Sequence, residues 1–407
     1  NQNFAAGQTS LRFNTTGSSN VAVGHETLYS NTTASNNTSV GYKAGYANTT
    51  GAVDAFGSLA LRANTTGQYS VAFGNQALTA NTTGNDNSAL GFGALYSNTT
   101  GASNTAIGRA ALLSSTTASN NTAVGYQAGY SNTTGTGNSA LGGEALNDCT
   151  TGNYNVAVGY QSQRLTTTAN DNTGLGAYTL YDNITGAANT AVGMSALANN
   201  TSASFNTALG VSALQNNTTA SNNTAVGYQA GYFSTTAPNN TAIGYQALRS
   251  TTTGGYNAAL GTASLYNNST GAYNTSLGVD SLANNTTASN NTAVGYQAGY
   301  SNTTGGSLTA VGMNSLRANT TGGGSVAVGR EALASNTTGD SNTVVGGYAL
   351  NQNTSGTANT GLGYQALQSN TTASNNTAVG YHAGFSNTTG TGVTYVGHLA
   401  GLGKTGN

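Results

Sequence analysis

The groups in this sequence that could do acid, base or nucleophilic chemistry are few: three histidines, ten carboxylates and one cysteine in 407 residues. His25, His382 and His398 show no metal-ligand spacing, and Glu26, Asp54, Glu144, Asp280 and Glu331 are scattered. No Ser-His-Asp set, Cys-His cluster or calcium loop can be assembled from them. Gly-x-Gly patterns such as Gly135-Thr136-Gly137 are expected by chance among 58 glycines. Cys149 is the only cysteine, so no disulfide can form within the chain, and it stands in a slot usually held by Asn. The expectation is a protein that is not an enzyme, with no catalytic, cofactor-binding or metal-binding residue and no cofactor.

What the sequence offers in quantity is amides, hydroxyls and phenols, and a repeat positions them. Asn121-Thr122-Ala123-Val124-Gly125-Tyr126-Gln127-Ala128-Gly129-Tyr130 recurs in variant form from end to end. Its first glycine, here called position 0, falls at Gly7, Gly24, Gly41, Gly57 and Gly74, and then every 17 residues to Gly380 and Gly397. One step, Gly41 to Gly57, is 16 residues, so 24 copies of 17 less one account for all 407. The expected organisation is a single array over 1–407, with 393–407 divergent enough to be a candidate C-terminal cap. A fixed short period marks a solenoid, in which each unit stacks on its neighbours.

Within a copy, position −1 is Val, Leu, Ile or Phe in 23 of 24 cases, Ala6 being the exception. Position −2 is nearly always Ala, +3 is always Ala, Ser or Thr, and +4 is Leu, or Gly in six copies, with Gln163 the lone departure. Seventeen residues suit two short strands and two turns. Asn-Thr-Ala-Val-Gly reads as the first strand and Gln-Ala-Leu-Tyr-Ser as the second. Asn-Thr-Thr-Gly makes an outer turn. The one deletion falls in the loose stretch between Gly51 and Val53, where a surface loop tolerates it. Stacked copies, about 4.8 Å apart in parallel sheets, would make an all-β parallel solenoid of 24 rungs. In this reading −1 and +4 line the interior, with Val124 in the core. The small residue at −2 then reports a neighbouring chain packed along the axis, or a crowded corner within one chain.

Eighteen copies carry Asn at +7 with Ser or Thr at +9, such as Asn14/Thr16, Asn98/Thr100, Asn302/Thr304 and Asn387/Thr389. These are glycosylation sequons, but sites about 4.8 Å apart are closer than a branched glycan is wide. A structural Asn ladder at the turn is the simpler reading. The adjacent threonines should point to opposite faces, which displays one Thr per rung and weakens an ice-binding role. Tyr42, Tyr126, Tyr228, Tyr245, Tyr296, Tyr364 and Tyr381 stand at +1. Tyr46, Tyr96, Tyr130, Tyr232 and Tyr300 stand at +5, a position shared with Arg12, Arg62, Arg164, Arg249 and Arg317 and therefore taken as exposed.

Composition narrows the partners. Charged residues are 5 % and net charge is −1. No basic stripe suits nucleic acid, and no apolar run approaches the roughly 20 residues of a membrane span.

Asn-Thr-Ala-Val-Gly-x-x-Ala resembles the head repeat of trimeric autotransporter adhesins, as Asn138 to Gly142 and Ser325 to Gly329 illustrate. The longer unit, nearly complete at Asn87 to Gly101, is similar to repeats of phage-type tail-fibre proteins. The resemblance covers essentially the whole chain. It implies a left-handed β-roll, commonly trimeric, exposed outside the cell or on a virion. The period here is longer and stricter than in adhesin heads. The expected function is structural: the shaft of an extracellular fibre, built by self-association as a homotrimer or end-to-end filament. The alternatives are an adhesin or fibre that binds cell-surface glycans along its length, and an ice-binding solenoid.

Overall fold

The structure, a computed structural model, describes residues 2–406. Asn1 and Asn407, the ends of the expected array and of the candidate cap, lie outside the described residues. The fold is a parallel β-solenoid. Twenty-four strands, β1 (Phe4–Ala6) to β24 (Thr394–Val396), each hold three or four residues and include positions −3 to −1 of every rung. The chain divides into two compact units, Asn1–Ser204 and Phe205–Asn407, of twelve strands each.

Within each unit, consecutive strands pair in parallel with like residues in register. In β8 (Thr122–Val124) and β9 (Ser139–Leu141), Thr122 lies against Ser139, Ala123 against Ala140 and Val124 against Leu141. The deletion leaves this register intact: Thr38 pairs with Asp54 and Val40 with Phe56. The missing residue is absorbed between the outer turn and β4 (Val53–Phe56), which lengthens to four residues.

The marker glycine is required twice over. Gly125 has φ +138°, and a Cβ there would stand 2.5 Å from the carbonyl oxygen of Gly142 on the next rung. No side chain fits between backbones stacked so closely.

Two expectations are corrected. First, among the described residues the second strand does not form. Positions +1 to +6 form a run of turns in which +2 and +4 take left-handed dihedrals, as at Gln127 (φ 53°) and Leu95 (φ 52°). The stacking bonds survive this change. The Leu95 N–H donates to the Ala111 oxygen at 3.0 Å on one neighbouring rung, and the Gln127 N–H to the Arg109 oxygen at 3.0 Å on the other.

Second, the faces of the strand are exchanged. Ala123 at −2 is 1 % exposed, whereas Val124 at −1 is half-buried and Leu141 is 40 % exposed. The interior is built from −2 Ala, +3 Ala and +4 Leu, with buried Asn columns at −4 and +7. Of the two readings of the small residue at −2, the crowded corner within one chain holds. Opposed columns at −2 and +3 leave room for one large side chain per rung, and the +4 Leu takes it. Coupled exceptions show how tightly. At Gly361 in the −2 column, a Cβ would lie 2.4 Å from Leu350 Cδ1. At Gly174, a Cβ would lie 3.2 Å from the Gln163 amide nitrogen. In β24 the −2 residue is Tyr395, whose ring fills the space that Cβ atoms on Gly384 and Gly401 would enter.

Candidate functional site

The outer turn is held by two asparagines per rung. Asn121 at −4 and Asn132 at +7 both donate through Nδ2 to the Gly135 carbonyl, at 2.9 and 3.0 Å. Each column also bonds along the stack. The backbone N–H of Asn121 donates to Asn104 Oδ1 at 3.0 Å. In the +7 column, Asn31, Asn48, Asn64, Asn81 and Asn98 each donate Nδ2 to Oδ1 of the Asn one rung earlier. The same chain of bonds runs from Asn268 to Asn387. The sequon asparagines are therefore ladder members. Asn302 is fully buried, and the nitrogen that glycosylation would modify donates to Asn285 Oδ1 at 2.8 Å and the Gly305 oxygen at 2.9 Å.

Ser115, Cys149, Thr166, Ser234 and Thr251 occupy the +7 slot without an amide. The shorter side chains break the ladder, and Asn98 Oδ1, Ser115 Oγ, Thr166 Oγ1 and Thr251 Oγ1 are left buried without partners. Cys149 fares similarly: its thiol reaches only the Gly152 oxygen at 3.7 Å. Burial pushes its pKa up to about 11, which suits a packed thiol rather than a nucleophile.

The threonine pair divides as expected from alternation. At +8 the hydroxyl donates to the carbonyl of the next +8 residue, as Thr82 does to Thr99 at 2.9 Å. At +9 the side chain is exposed, as at Thr83, Thr100 and Thr134, giving a single file of hydroxyls.

The carboxylates singled out by the sequence serve local contacts. Glu26 pairs with Lys43 at 3.2 Å, Glu144 with Arg164 at 3.0 Å and Glu331 with Arg330 at 3.6 Å. Asp54 Oδ1 accepts the Thr38 N–H at 3.0 Å, and Asp280 Oδ2 lies 3.5 Å from the Gln297 amide. His25 stacks on Tyr42. His382 and His398, sixteen residues apart, both stack on Tyr381, with ring centroids at 4.0 and 5.5 Å. Among the described residues no three His, Cys, Asp or Glu side chains are grouped to hold a metal.

What the structure gathers instead is a surface. Within each unit, the outward side chains of the sheet form columns at −3, −1 and +1. The −1 column carries Phe73, Leu90, Ile107, Leu141 and Leu175 in the first unit and Leu209, Leu260, Leu277 and Leu362 in the second, all exposed. Beside it run exposed +1 tyrosines, including the parallel pairs Tyr228–Tyr245 and Tyr364–Tyr381, with centroids at 5.5 and 5.7 Å. The sequence reading buried the −1 column and so missed this face. The signal available to it was the alternation itself, because a uniformly small −2 residue and a variable large −1 residue are what a narrow interior requires.

No protein-family model matches the chain, and comparison with curated proteins finds no match.

Proposed function

We propose that this chain is a structural protein that forms the shaft of an extracellular fibre by associating with further copies of itself. One observation carries the reading: the −1 column holds a large apolar residue in 23 of 24 rungs, and it faces outward. Leu260 is 48 % exposed and Phe73 55 %. Soluble monomers rarely leave a contiguous apolar patch of more than a few hundred Å² uncovered. The column is aligned and continuous within each unit, and a second copy carries the same pattern at the same spacing. The short +3 and −2 side chains belong to the interior, so the partner copy docks against −3, −1 and +1.

The test is the solution mass of the purified chain by sedimentation equilibrium. The wild type is expected to be a defined oligomer. A Leu90→Thr, Ile107→Thr, Leu141→Thr variant, which keeps strand-compatible side chains while removing apolar surface, should dissociate at concentrations where the wild type holds together. A wild type that stays monomeric at millimolar concentration defeats the shaft reading. Glycan adhesion along the surface is the second reading, favoured by the exposed +1 tyrosines, which could stack on sugar rings. Saturable binding of the intact chain to cell-surface glycans would support it. The exposed +9 hydroxyl file is what an ice-binding role would use, and thermal hysteresis in solution is its readout.

A further inference from the structure

The cations at +5 follow a rule, and one of them breaks it. Arg164, Arg249 and Arg317 each find an acceptor 20 residues earlier, at +2 of the preceding rung. Arg164 Nε donates to Glu144 Oε2 at 3.0 Å, Arg249 Nε to Gln229 Oε1 at 3.3 Å and Arg317 Nε to Gln297 Oε1 at 3.0 Å. Arg249 also lies over the rings of Tyr232 and Tyr266, and Arg12 over Tyr29. For Arg62, the residue at the same place in the preceding rung is Lys43. Lysine has no acceptor to offer, and like charges repel. Arg62 is exposed, and its guanidinium has no hydrogen bond, ion pair or ring contact among the described residues.

Between the two cations lies a notch of about 280 Å³, lined by Lys43, Tyr46, Ala47, Arg62 and Ala63. Tyr46 forms one wall. Its ring is stacked on Tyr29 from the preceding rung, with centroids 5.0 Å apart and planes within 8°. That contact covers one side of the ring, the Lys43 ammonium lies 5.3 Å from its centroid, and the ring borders the notch together with Arg62. Lys43 is held in place by Glu26 at 3.2 Å. That hydrogen bond is the main reason its pKa is raised, so the ammonium stays charged at neutral pH.

We propose that this notch binds a sugar acid: its carboxylate between Arg62 and Lys43, its ring against the face of Tyr46 and over the alanine floor. Planar guanidinium pairs well with a carboxylate, the ammonium adds a second donor, and an aromatic face beside short side chains accommodates a pyranose. The site uses +2, +5 and +6 and is separate from the −1 column, so it does not depend on self-association.

Calorimetric titration of the intact chain with glucuronate at low ionic strength tests the assignment, with glucose and sodium sulfate in parallel. Glucuronate is expected to bind saturably and glucose not. Arg62→Gln should weaken binding at least about tenfold. Lys43→Gln should do the same for a second reason: it hands Arg62 the acceptor that Gln297 gives Arg317 and so closes the notch. Both positions are on the surface, and unchanged circular dichroism verifies the fold of each variant. Absence of glucuronate binding to the wild type overturns the proposal, as does equal affinity in both variants. Sulfate bound as tightly as glucuronate would overturn the assignment of a sugar-sized ligand.

Discussion

At the scale of single residues, the +7 column shows what one amide contributes. Where Asn follows Asn, each side chain satisfies its neighbour and the turn carbonyl together. Where Ser115 intervenes, Asn98 Oδ1 and Ser115 Oγ are both stranded in the interior. A buried group without a partner costs about 1–3 kcal/mol. Ser115→Asn should therefore stabilise the first unit by about 1–2 kcal/mol, read as a higher midpoint in urea; a lower midpoint would show that the slot there is too small for an amide. Cys149 gives a second check. Its thiol is buried, and that burial raises its pKa to about 11. The folded chain should resist iodoacetamide at pH 8, and urea should release the reactivity. Because the folded pKa is the higher one, the thiol's contribution to stability is present below pH 9 and is lost as pH rises through about 11. The Asn ladder itself was legible in the sequence, since a periodic Asn at a turn has few other uses. The interruptions were legible as letters, but their cost required knowing that the column is buried.

At the scale of the element, the chain was readable to the strand and misread past it. Asn-Thr-Ala-Val-Gly forms a strand, and period-two alternation placed −1 and −2 on opposite faces. Which face looks inward depends on the width of the interior, and both Ala and Val are apolar. The Gln-Ala-Leu-Tyr-Ser stretch misled because leucine seldom adopts a positive φ, yet Leu28, Leu78 and Leu95 do so. The cost of that backbone is offset by complete burial of the side chain. A hint was present: Gly45, Gly129, Gly231 and Gly299 replace that Leu, and each has φ near 60°. In those rungs the Leu one rung earlier leans into the vacated space, with Leu112 Cδ2 2.9 Å from where a Gly129 Cβ would be. Exchange of the two faces is directly testable. Ala123→Leu inserts three heavy atoms beside an interior void of only about 10 Å³, too small to take them, and should cost about 1–3 kcal/mol or more. Val124→Thr, on the outer face, should cost under about 0.5 kcal/mol when both variants are unfolded at a concentration where the chain is dissociated. Thermal unfolding of the two variants decides the orientation, and the reverse order of stabilities would restore Val124 to the core.

At the scale of the molecule, almost all charge is local and the long-range pattern is apolar. Nine cations and ten carboxylates in 407 residues leave little electrostatic complementarity to drive assembly. The −1 column, by contrast, repeats through each unit. Association through it should therefore respond to salt as apolar burial does. Excluded salts such as sulfate strengthen burial of apolar surface, whereas screening weakens contacts between exposed charges. Sedimentation at about 0.05 M and about 1 M sodium chloride spans Debye lengths from above 10 Å to about 3 Å, and the oligomer should persist at both. Ammonium sulfate below the precipitation threshold should tighten it further. Glucuronate binding at Arg62 and Lys43 should instead weaken over the same range of sodium chloride, so one preparation distinguishes the two surfaces by their salt response. Dissociation at high sodium chloride would show that the copies are held by their few charges, and the −1 column would then need another explanation for facing water.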